Sequence, residues 1–353
     1  MNLLNMFRPK RKRPKICLVF CGGTIGMVRD KKTKALKPAK SIKEVLSIAP
    51  EIHRFADIDY AFIGNIDSTN VQTHHWATIA RTIQERYHRY TGFVVTHGTD
   101  TLAYTASALS LALQNLNKPI VLTGSQMPPD DLASDARNNL INAFRVATMD
   151  IAEVVICFGD SILKGIRAQK WSEFELNAFH SPLFPKLGKI GADIELTPYV
   201  ERSTEGVSLP LDCKPDFERG VVEIRLFASL NPEMIKVLLD SGLCKGLIFQ
   251  SYGAGNIPTK ENSLIPLVTY AIKKKNIPVL ISTQCTGGKV RVGVYDTGYQ
   301  AFKVGAIPTL DMSLEGASVK LSWCLAQTKN IDIIREMMNT NYVGEINLEK
   351  KAG

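Results

Sequence analysis

The stretch Phe20-Cys21-Gly22-Gly23-Thr24-Ile25-Gly26 decides the fold that this chain is expected to adopt. The apolar run from Ile16 to Phe20 has the composition of a buried strand. Two adjacent glycines then permit backbone angles that other residues avoid, so a ligand can approach the main chain. The stretch has neither the ending of a P-loop nor the three-glycine dinucleotide pattern. We expect a strand-to-loop turn that presents the Thr24 hydroxyl to a crevice, although such turns also bind phosphate or simply reverse the chain.

Strands, polar loops and helices alternate along the N-terminal half. Continuous apolar segments recur at 92–96, 119–123 and 153–158, with helical patterns between them. This alternation is typical of a mostly parallel sheet that is covered by helices on both faces. Ligands bind such sheets outside the carboxyl ends of the strands. The polar residues expected to converge there are Thr24, Asp67, Ser68, Thr99, Asp100, Ser125 and Gln126.

The rest of the chain predicts a second, smaller α/β domain with a parallel sheet, because three more apolar strands alternate with helices beyond residue 220. Proline and glycine punctuate residues 181–220, which we interpret as an interdomain connection. The predicted division is a basic, disordered tail over 1–15, an N-terminal α/β catalytic domain over 16–200 and a C-terminal α/β domain over 221–353. The polar, lysine-rich segment 27–41 is expected to be a mobile loop, a natural lid after the first strand.

The charge belongs mainly to the tail. The 353 residues carry a net charge of +9, but six basic residues and no acidic one lie in the first 15 positions. We expect a solvated leader there and no nucleic-acid partner, although such a cluster also suits RNA or an anionic membrane. No apolar run approaches the roughly 18 residues needed to cross a bilayer. We therefore expect a cytoplasmic protein without a membrane partner.

The cysteines and histidines give no pattern of a metal site. Seven widely spaced cysteines include no C-x-x-C pair, which disfavours zinc and disulfide frameworks and suits a reducing compartment. His74, His75 and His88 lie on or beside a predicted helix without an acidic or cysteine partner at ligand spacing. We expect no metal.

Two motifs together, the Gly22–Gly26 turn and His97-Gly98-Thr99-Asp100-Thr101, resemble the bacterial-type L-asparaginases, and among them the cytoplasmic type I branch. The similarity covers about residues 16 to 340 through further motifs in the same order: Asp67-Ser68, Ala103–Leu109, Gly124–Gln126, Lys170, Ser251–Asn256 and Thr283–Cys285. The resemblance implies hydrolysis of the side-chain amide of L-asparagine to L-aspartate and ammonia through an acyl-enzyme, with no cofactor and no metal.

The resemblance also implies residue roles. The positions that match the family's catalytic residues are Thr24, Thr99, Asp100 and Lys170. The positions that match its substrate-binding residues are Asp67, Ser68, Thr69, Thr99, Asp100 and Asn256. Asn256 matches a residue that acts across an intimate dimer interface, so the implied assembly is a homodimer or homotetramer that binds a small-molecule substrate.

The chemistry suits these residue types. A threonine hydroxyl is a poor nucleophile until a base takes its proton, and a desolvated lysine with a lowered pKa can do so. Which threonine attacks is not decided by the sequence. Taken alone, Thr99 and Asp100 equally suit a helix cap, Asp67 and Ser68 a turn, and Lys170 a solvated surface.

Two departures from the family stand out. Cys21 replaces a usual threonine and is expected to point into the core. No tyrosine occurs from Ile16 to Ile58, where the family carries one in its lid, and Leu36 lies near the expected place. Thr24 would then lack its usual activator, which predicts slow turnover or reliance on another group.

Three alternatives stay open. The chain could prefer glutamine, since one methylene changes discrimination by only about 1–3 kcal/mol. It could be the amidase component of a tRNA-dependent amidotransferase, although we do not expect it to carry the extra N-terminal domain of such proteins. It could also be a catalytically weak homologue that binds an amino acid.

Overall fold

A computed structural model of the chain describes residues 13–30, 33, 35–39, 41–203, 209–293 and 296–347. The prediction of a disordered tail concerns residues that lie mostly outside this set. None of the described helices combines the length and the apolar character that crossing a bilayer requires.

The N-terminal part is built around an eight-stranded sheet. Its strands, and those of three small two-stranded pairs, are β1 (Lys15–Gly22), β2 (Met27–Arg29), β3 (Leu36–Pro38), β4 (Asp57–Ile66), β5 (Gly92–Thr96), β6 (Leu113–Gln114), β7 (Ile120–Thr123), β8 (Val154–Phe158), β9 (Ser161–Lys164), β10 (Gln169–Lys170), β11 (Phe179–His180), β12 (Gly188–Ile190), β13 (Ile194–Leu196) and β14 (Asp212–Cys213). Its helices are α1 (Ile42–Ser47), α2 (Thr73–Arg86), α3 (Leu102–Ala112) and α4 (Ala136–Val146).

The large sheet is mostly parallel, as predicted. Strands β4, β1, β5, β7 and β8 lie side by side and run parallel, and β9, β12 and β13 continue the sheet with antiparallel pairings. Alternate residues of β1 enter two different cores: Cys17 and Val19 pack in the core that includes residues of α2 and α3, whereas Leu18 and Phe20 pack in the core that includes residues of α1 and α4. Both faces are covered, which is why the strand is apolar from Ile16 to Cys21.

The C-terminal part is a second, smaller α/β unit. Its four strands, all parallel, are β15 (Val221–Arg225), β16 (Gly246–Ser251), β17 (Val279–Thr283) and β18 (Ile307–Pro308). Its helices are α5 (Pro232–Asp240), α6 (Ile265–Lys274), α7 (Asp296–Lys303), α8 (Leu314–Gln327) and α9 (Ile331–Asn339). Helix α8 contacts both α3 and the small sheet, so it packs the two parts of the molecule together.

Two sequence-based expectations differ from the structure. The segment 27–41 is not simply a loop, because β2 and β3 pair as an antiparallel hairpin in which Met27 faces Pro38. The connection expected over 181–220 contains β12 and β13, which extend the large sheet beyond β9. These strands are three residues long, too short for a periodic pattern, and only the pairing of β12 with β9 and of β13 with β12 makes them strands. The predicted boundaries at residues 200 and 221 stay a prediction.

Candidate active site

Three loops meet where β1, β4 and β5 end. A Cβ atom added to Gly22 would lie 2.5 Å from the Ile66 nitrogen, and one added to Gly23 would lie 2.4 Å from the Gly98 nitrogen. A Cβ atom on Gly98 would in turn lie 2.6 Å from the Ser68 hydroxyl oxygen. Both Gly22 and Gly23 have positive φ angles, of 95° and 86°, which glycine adopts without strain. The glycines therefore let three backbones touch, and this contact brings the motifs predicted to converge into one place.

Thr24 is one residue beyond this contact. It begins a short 3-10 turn, Thr24–Gly26, that the Gly26 N–H closes by donating to the Gly23 carbonyl oxygen at 2.9 Å. Thr24 is half-buried. Within the described residues its hydroxyl has no hydrogen-bond partner, which leaves the oxygen free to meet a ligand.

Thr99, Asp100 and Lys170 form a connected group at the end of β5. The Lys170 Nζ atom donates to Thr99 Oγ1 at 2.9 Å and to Asp100 Oδ1 at 2.6 Å. The Lys170 side chain is 20% exposed, and it is held by the pairing of β10 with β11. A lysine in this position can exchange a proton with the threonine hydroxyl, and the carboxylate fixes its orientation.

Asp67 provides a negative charge beside the same loops. Its Oδ1 atom accepts hydrogen bonds from the Thr69 N–H at 3.0 Å and the Thr69 hydroxyl at 2.8 Å. These two bonds hold the pKa of Asp67 below its usual value, because they favour the ionised form. The Ser68 carbonyl oxygen accepts a bond from the Thr101 hydroxyl at 2.7 Å, which ties this loop to the Thr99 turn. The arrangement can bind a cationic group such as an ammonium.

Asn256 lies in the C-terminal part, in a loop closed by the Tyr252–Asn256 bridge. Its Oδ1 atom accepts a hydrogen bond from the Thr297 hydroxyl at 2.9 Å. In the portion of the chain that the structure describes, no hydrogen bond or ion pair joins Asn256 to the residues around Thr99. The three loops and Lys170 thus bring the six other predicted site positions together, whereas Asn256 makes no such bond to them in the described residues.

Two family models match most of the chain. Residues 15–201 match a family described as "Asparaginase, N-terminal", and residues 220–338 match one described as "Glutaminase/Asparaginase C-terminal domain". The chain belongs to the asparaginase family. It is an amidohydrolase of that family.

Several relatives of known sequence agree with this assignment. An L-asparaginase of Thermococcus kodakarensis is 36% identical over 94% of this chain and 99% of its own length. L-asparaginase 1 of Escherichia coli K12 is 35% identical over 95% of this chain and 98% of its own length. One component of the glutamyl-tRNA(Gln) amidotransferase of Pyrococcus abyssi is 36% identical over 94% of this chain and 77% of its own length.

Solved structures of asparaginases have the same fold. The thermostable L-asparaginase of Thermococcus kodakarensis superposes with a TM-score of 0.87 at 34% identity, over 94% of this chain and 99% of that one. A probable cytoplasmic L-asparaginase of Campylobacter jejuni superposes with a TM-score of 0.77 at 27% identity, over 93% of this chain and 100% of that one.

Gln126, which was expected to converge at this site, also makes a connection that the sequence did not predict. Its Nε2 atom donates to the carbonyl oxygens of Ser172 and Glu175, both at 3.3 Å, so it ties the end of β7 to the loop after Lys170. The neighbouring Ser125 hydroxyl is buried and has no partner in the described part of the chain. Gln126 and Ser172 are 46 residues apart in the sequence, so only the tertiary structure reveals the bond between them.

Asp135 and Asn139 hold the loop that follows β7, and the sequence did not predict this role. The Asp135 carboxylate accepts bonds from the N–H groups of Gln126 and Met127, and Asn139 Nδ2 donates to the Gly124 carbonyl oxygen at 3.0 Å. Both side chains are buried. An Asp and an Asn four residues apart on the inner face of a predicted helix were a usable signal, since buried polar groups need partners.

The β2–β3 hairpin, which the sequence predicts to be a lid, is attached to the loop before α4. The Arg29 guanidinium lies 2.5 Å from the Asp131 carboxylate, and the Arg29 N–H donates to Asp130 at 3.0 Å. The side chain of Leu36, on which the sequence argument about the lid depends, lies outside the described part of the structure. Cys21 is buried, as expected, and burial raises its pKa.

No group of three or more His, Cys, Asp or Glu side chains in the described residues could hold a metal ion. The His74 and His75 rings are in contact, with centroids 3.9 Å apart and planes tilted by 41°. His75 Nδ1 accepts a hydrogen bond from the Gln72 N–H at 2.9 Å, at the start of α2. That bond gives His75 a structural role in capping the helix.

Proposed function

We propose that the chain hydrolyses the side-chain amide of L-asparagine to L-aspartate and ammonia, through an acyl-enzyme formed on a threonine. The observation that carries the proposal is the Lys170 Nζ atom within 2.9 Å of Thr99 Oγ1 and 2.6 Å of Asp100 Oδ1. Contact between Gly23 and Gly98 brings the Thr24 turn beside this group.

The substrate would bind through its charged ends. The ionised Asp67, with Asp100, suits the α-ammonium of an amino acid, and the polar groups of Ser68 and Thr69 complete the binding loop. This leaves the side-chain amide free to reach the two threonines. Substrate binding by these residues is part of the proposal.

In the chemical step, an uncharged Lys170 amine takes the hydroxyl proton while the threonine oxygen bonds to the amide carbon. The tetrahedral intermediate collapses when its C–N bond breaks, and the nitrogen leaves as ammonia with the proton that the lysine returns. A water molecule then attacks the ester, the lysine removes its proton, and the threonine hydroxyl is regenerated with release of the carboxylate. No oxidant, reductant or cofactor is needed.

The two threonines differ in what supports each as the nucleophile. Thr99 has its base in place, whereas the Thr24 hydroxyl is open and has no partner in the described residues. Trapping the ester distinguishes them: acid quenching with L-asparagine, followed by peptide mass spectrometry, locates the added acyl group on one threonine.

The first experiment is an ammonia assay of the native chain with L-Asn and L-Gln, beside Thr24→Ala and Thr99→Ala. We expect release from asparagine and its loss in both variants. A remote threonine variant, Thr148→Ala, serves as the matched control, since the Thr148 hydroxyl donates to the Arg145 carbonyl oxygen at the end of α4. Native activity in both site variants would overturn the proposal.

The similarity to an amidotransferase component favours a second candidate, amide hydrolysis coupled to a tRNA-dependent reaction. Steady ammonia release from free asparagine without tRNA supports the asparaginase proposal. Dependence of that release on tRNA supports the second candidate. Asparagine binding by calorimetry, with no ammonia released over hours, would instead indicate a binding homologue.

We also propose a cytoplasmic homodimer or homotetramer in which Asn256 of one copy completes the site of another. Support comes from the position of Asn256, which has no bond to the rest of the site within the described chain. We expect Asn256→Ala to lose activity and to regain part of it when mixed with Lys170→Met, because hybrid dimers combine one intact site from two damaged chains. Sedimentation measures the assembly directly.

A further inference from the structure

His97 lies under the Thr99 turn at the end of β5, and no step described so far uses it. The residue is 1% exposed. Its Nδ1 atom is 2.7 Å from the Gly98 carbonyl oxygen, and its Nε2 atom is 2.9 Å from the Thr105 hydroxyl oxygen. Both ring nitrogens therefore have a partner, and the chemistry of those partners fixes the position of the proton.

A carbonyl oxygen can only accept, so Nδ1 carries the hydrogen. The third member of the chain is Trp76, whose Nε1–H can only donate and does so to the Thr105 oxygen at 3.1 Å. Thr105 then gives its own hydrogen to Nε2. In this arrangement each donor has one acceptor, from the Trp76 indole through Thr105 and His97 to the Gly98 carbonyl.

The imidazolium form fits less well. With a hydrogen on Nε2, the Thr105 oxygen would accept twice, and its own hydrogen would have no acceptor in the described structure. Burial lowers the pKa of His97 to about 4, because a charged ring would lose its hydration. Repulsion between the His75 and His97 rings, were both protonated, lowers the pKa of His97 further.

The bond from His97 to the Gly98 carbonyl also fixes the direction of the Thr99 N–H, which belongs to the same peptide unit. The Gly98 carbonyl and the Thr99 N–H belong to one planar trans unit, so they point in opposite directions. His97 holds the carbonyl toward the core, which directs the Thr99 N–H away from it. Among the described residues, nothing accepts a hydrogen bond from that N–H. This N–H group belongs to Thr99, the residue whose hydroxyl accepts a hydrogen bond from Lys170.

We propose that His97 is a positioning residue, whose neutral Nδ1–H ring holds the Gly98 carbonyl so that the Thr99 N–H faces the site and donates to the oxygen that becomes negative during amide hydrolysis. The inference rests on the proposed function for that last part. Its physical basis is that a donor fixed before the reaction needs no reorganisation when the charge develops.

Two substitutions separate this role from simple filling of the core. The amide nitrogen of Asn can take the place of Nδ1 and donate to Gly98, whereas Gln reaches the place of Nε2 and keeps only the Thr105 bond. We expect His97→Asn to keep kcat for asparagine within about tenfold, and His97→Gln to lose about 10²–10³-fold, with KM little changed. Equal kcat in the two variants, or a larger loss in His97→Asn, would overturn the proposal.

The native protein provides a test that does not depend on how variants fold. Two-bond proton–nitrogen NMR of histidine-labelled protein should show His97 with hydrogen on Nδ1 and a bare Nε2 from pH 5 to pH 8. Hydrogen on Nε2, in either a neutral or a charged ring, overturns the positioning role whether or not the chain is active. Absence of ammonia release from asparagine, with the expected tautomer present, counts against the proposed function and leaves the geometry of the turn established.

Discussion

The two threonine-bearing turns touch each other but are built differently. Close glycine packing shapes the turn that carries Thr24, and its hydroxyl has no partner among the described residues. The turn that carries Thr99 is fixed from below by His97 and from the side by Lys170. The half of the candidate site around Thr99 is therefore fixed by bonds within a single chain, whereas the half around Thr24 is open in the described residues.

This difference matters because catalysis depends on groups that are already oriented when charge develops. We expect loss of the fixed half to cost more activity than changes around the open half. Four predictions test this comparison.

The largest effect is expected for Lys170→Met, which should lower kcat for asparagine by about 10³–10⁴-fold, because it removes the proton-transfer group beside Thr99. Thermal stability should change little, since the partner carboxylate of Asp100 is 54% exposed. Lys186→Met is the matched control, because Lys186 also bonds to a hydroxyl, that of Ser161, but away from the three loops. Full activity in Lys170→Met would show that the fixed half is not catalytic.

A pH effect on stability should come from His97. Its folded-state pKa of about 4 lies below the usual value of 6.5, so the unfolded chain binds the proton more readily between these values. The contribution to stability is complete above pH 6.5, and about 3 kcal/mol is lost as the pH falls toward 4. Urea unfolding at several pH values measures it, and His97→Asn should show a correspondingly flatter profile. Identical pH profiles in the two proteins would contradict the assignment.

Gly23→Ala should destabilise the contact between the turns. Alanine at positive φ costs about 1–2 kcal/mol, and its Cβ would also meet the Gly98 backbone at 2.4 Å. Gly242→Ala is matched in φ, at 73°, but meets nothing within 4 Å. The difference in free energy of unfolding between the two variants should be about 1–3 kcal/mol, the range for forced overpacking. Equal losses of unfolding free energy in the two variants would mean that the two turns can move apart at little energetic cost.

The smallest effect concerns the lid. We expect slow native turnover and an increase of roughly 10–100-fold in kcat for Leu36→Tyr, near the lower end of what a proton-transfer group contributes. Leu36→Phe supplies the same ring without the hydroxyl and should not reproduce the gain. A fast native enzyme that the tyrosine slows would reject the idea that Thr24 lacks an activator.

Sequence patterns were sufficient for the frame of the molecule. A parallel sheet covered on both faces needs apolar residues at every strand position, and β1 and β5 show this directly in their composition. The strands β12 and β13 escaped notice, because a three-residue strand carries no periodicity and depends on the neighbour it pairs with.

The sequence by itself determined the alternation of strands and helices, the glycine turn before Thr24 and the motifs of the asparaginase family, since all of these are local patterns of residue type. Only the tertiary structure decided that Lys170 meets Thr99, 71 residues away, and that His97 is buried between the Gly98 carbonyl and the Thr105 hydroxyl. The physical reason is that a hydrogen bond depends on distances and directions between atoms. The folding of the sheet and its loops sets those distances, and residue order alone does not contain them.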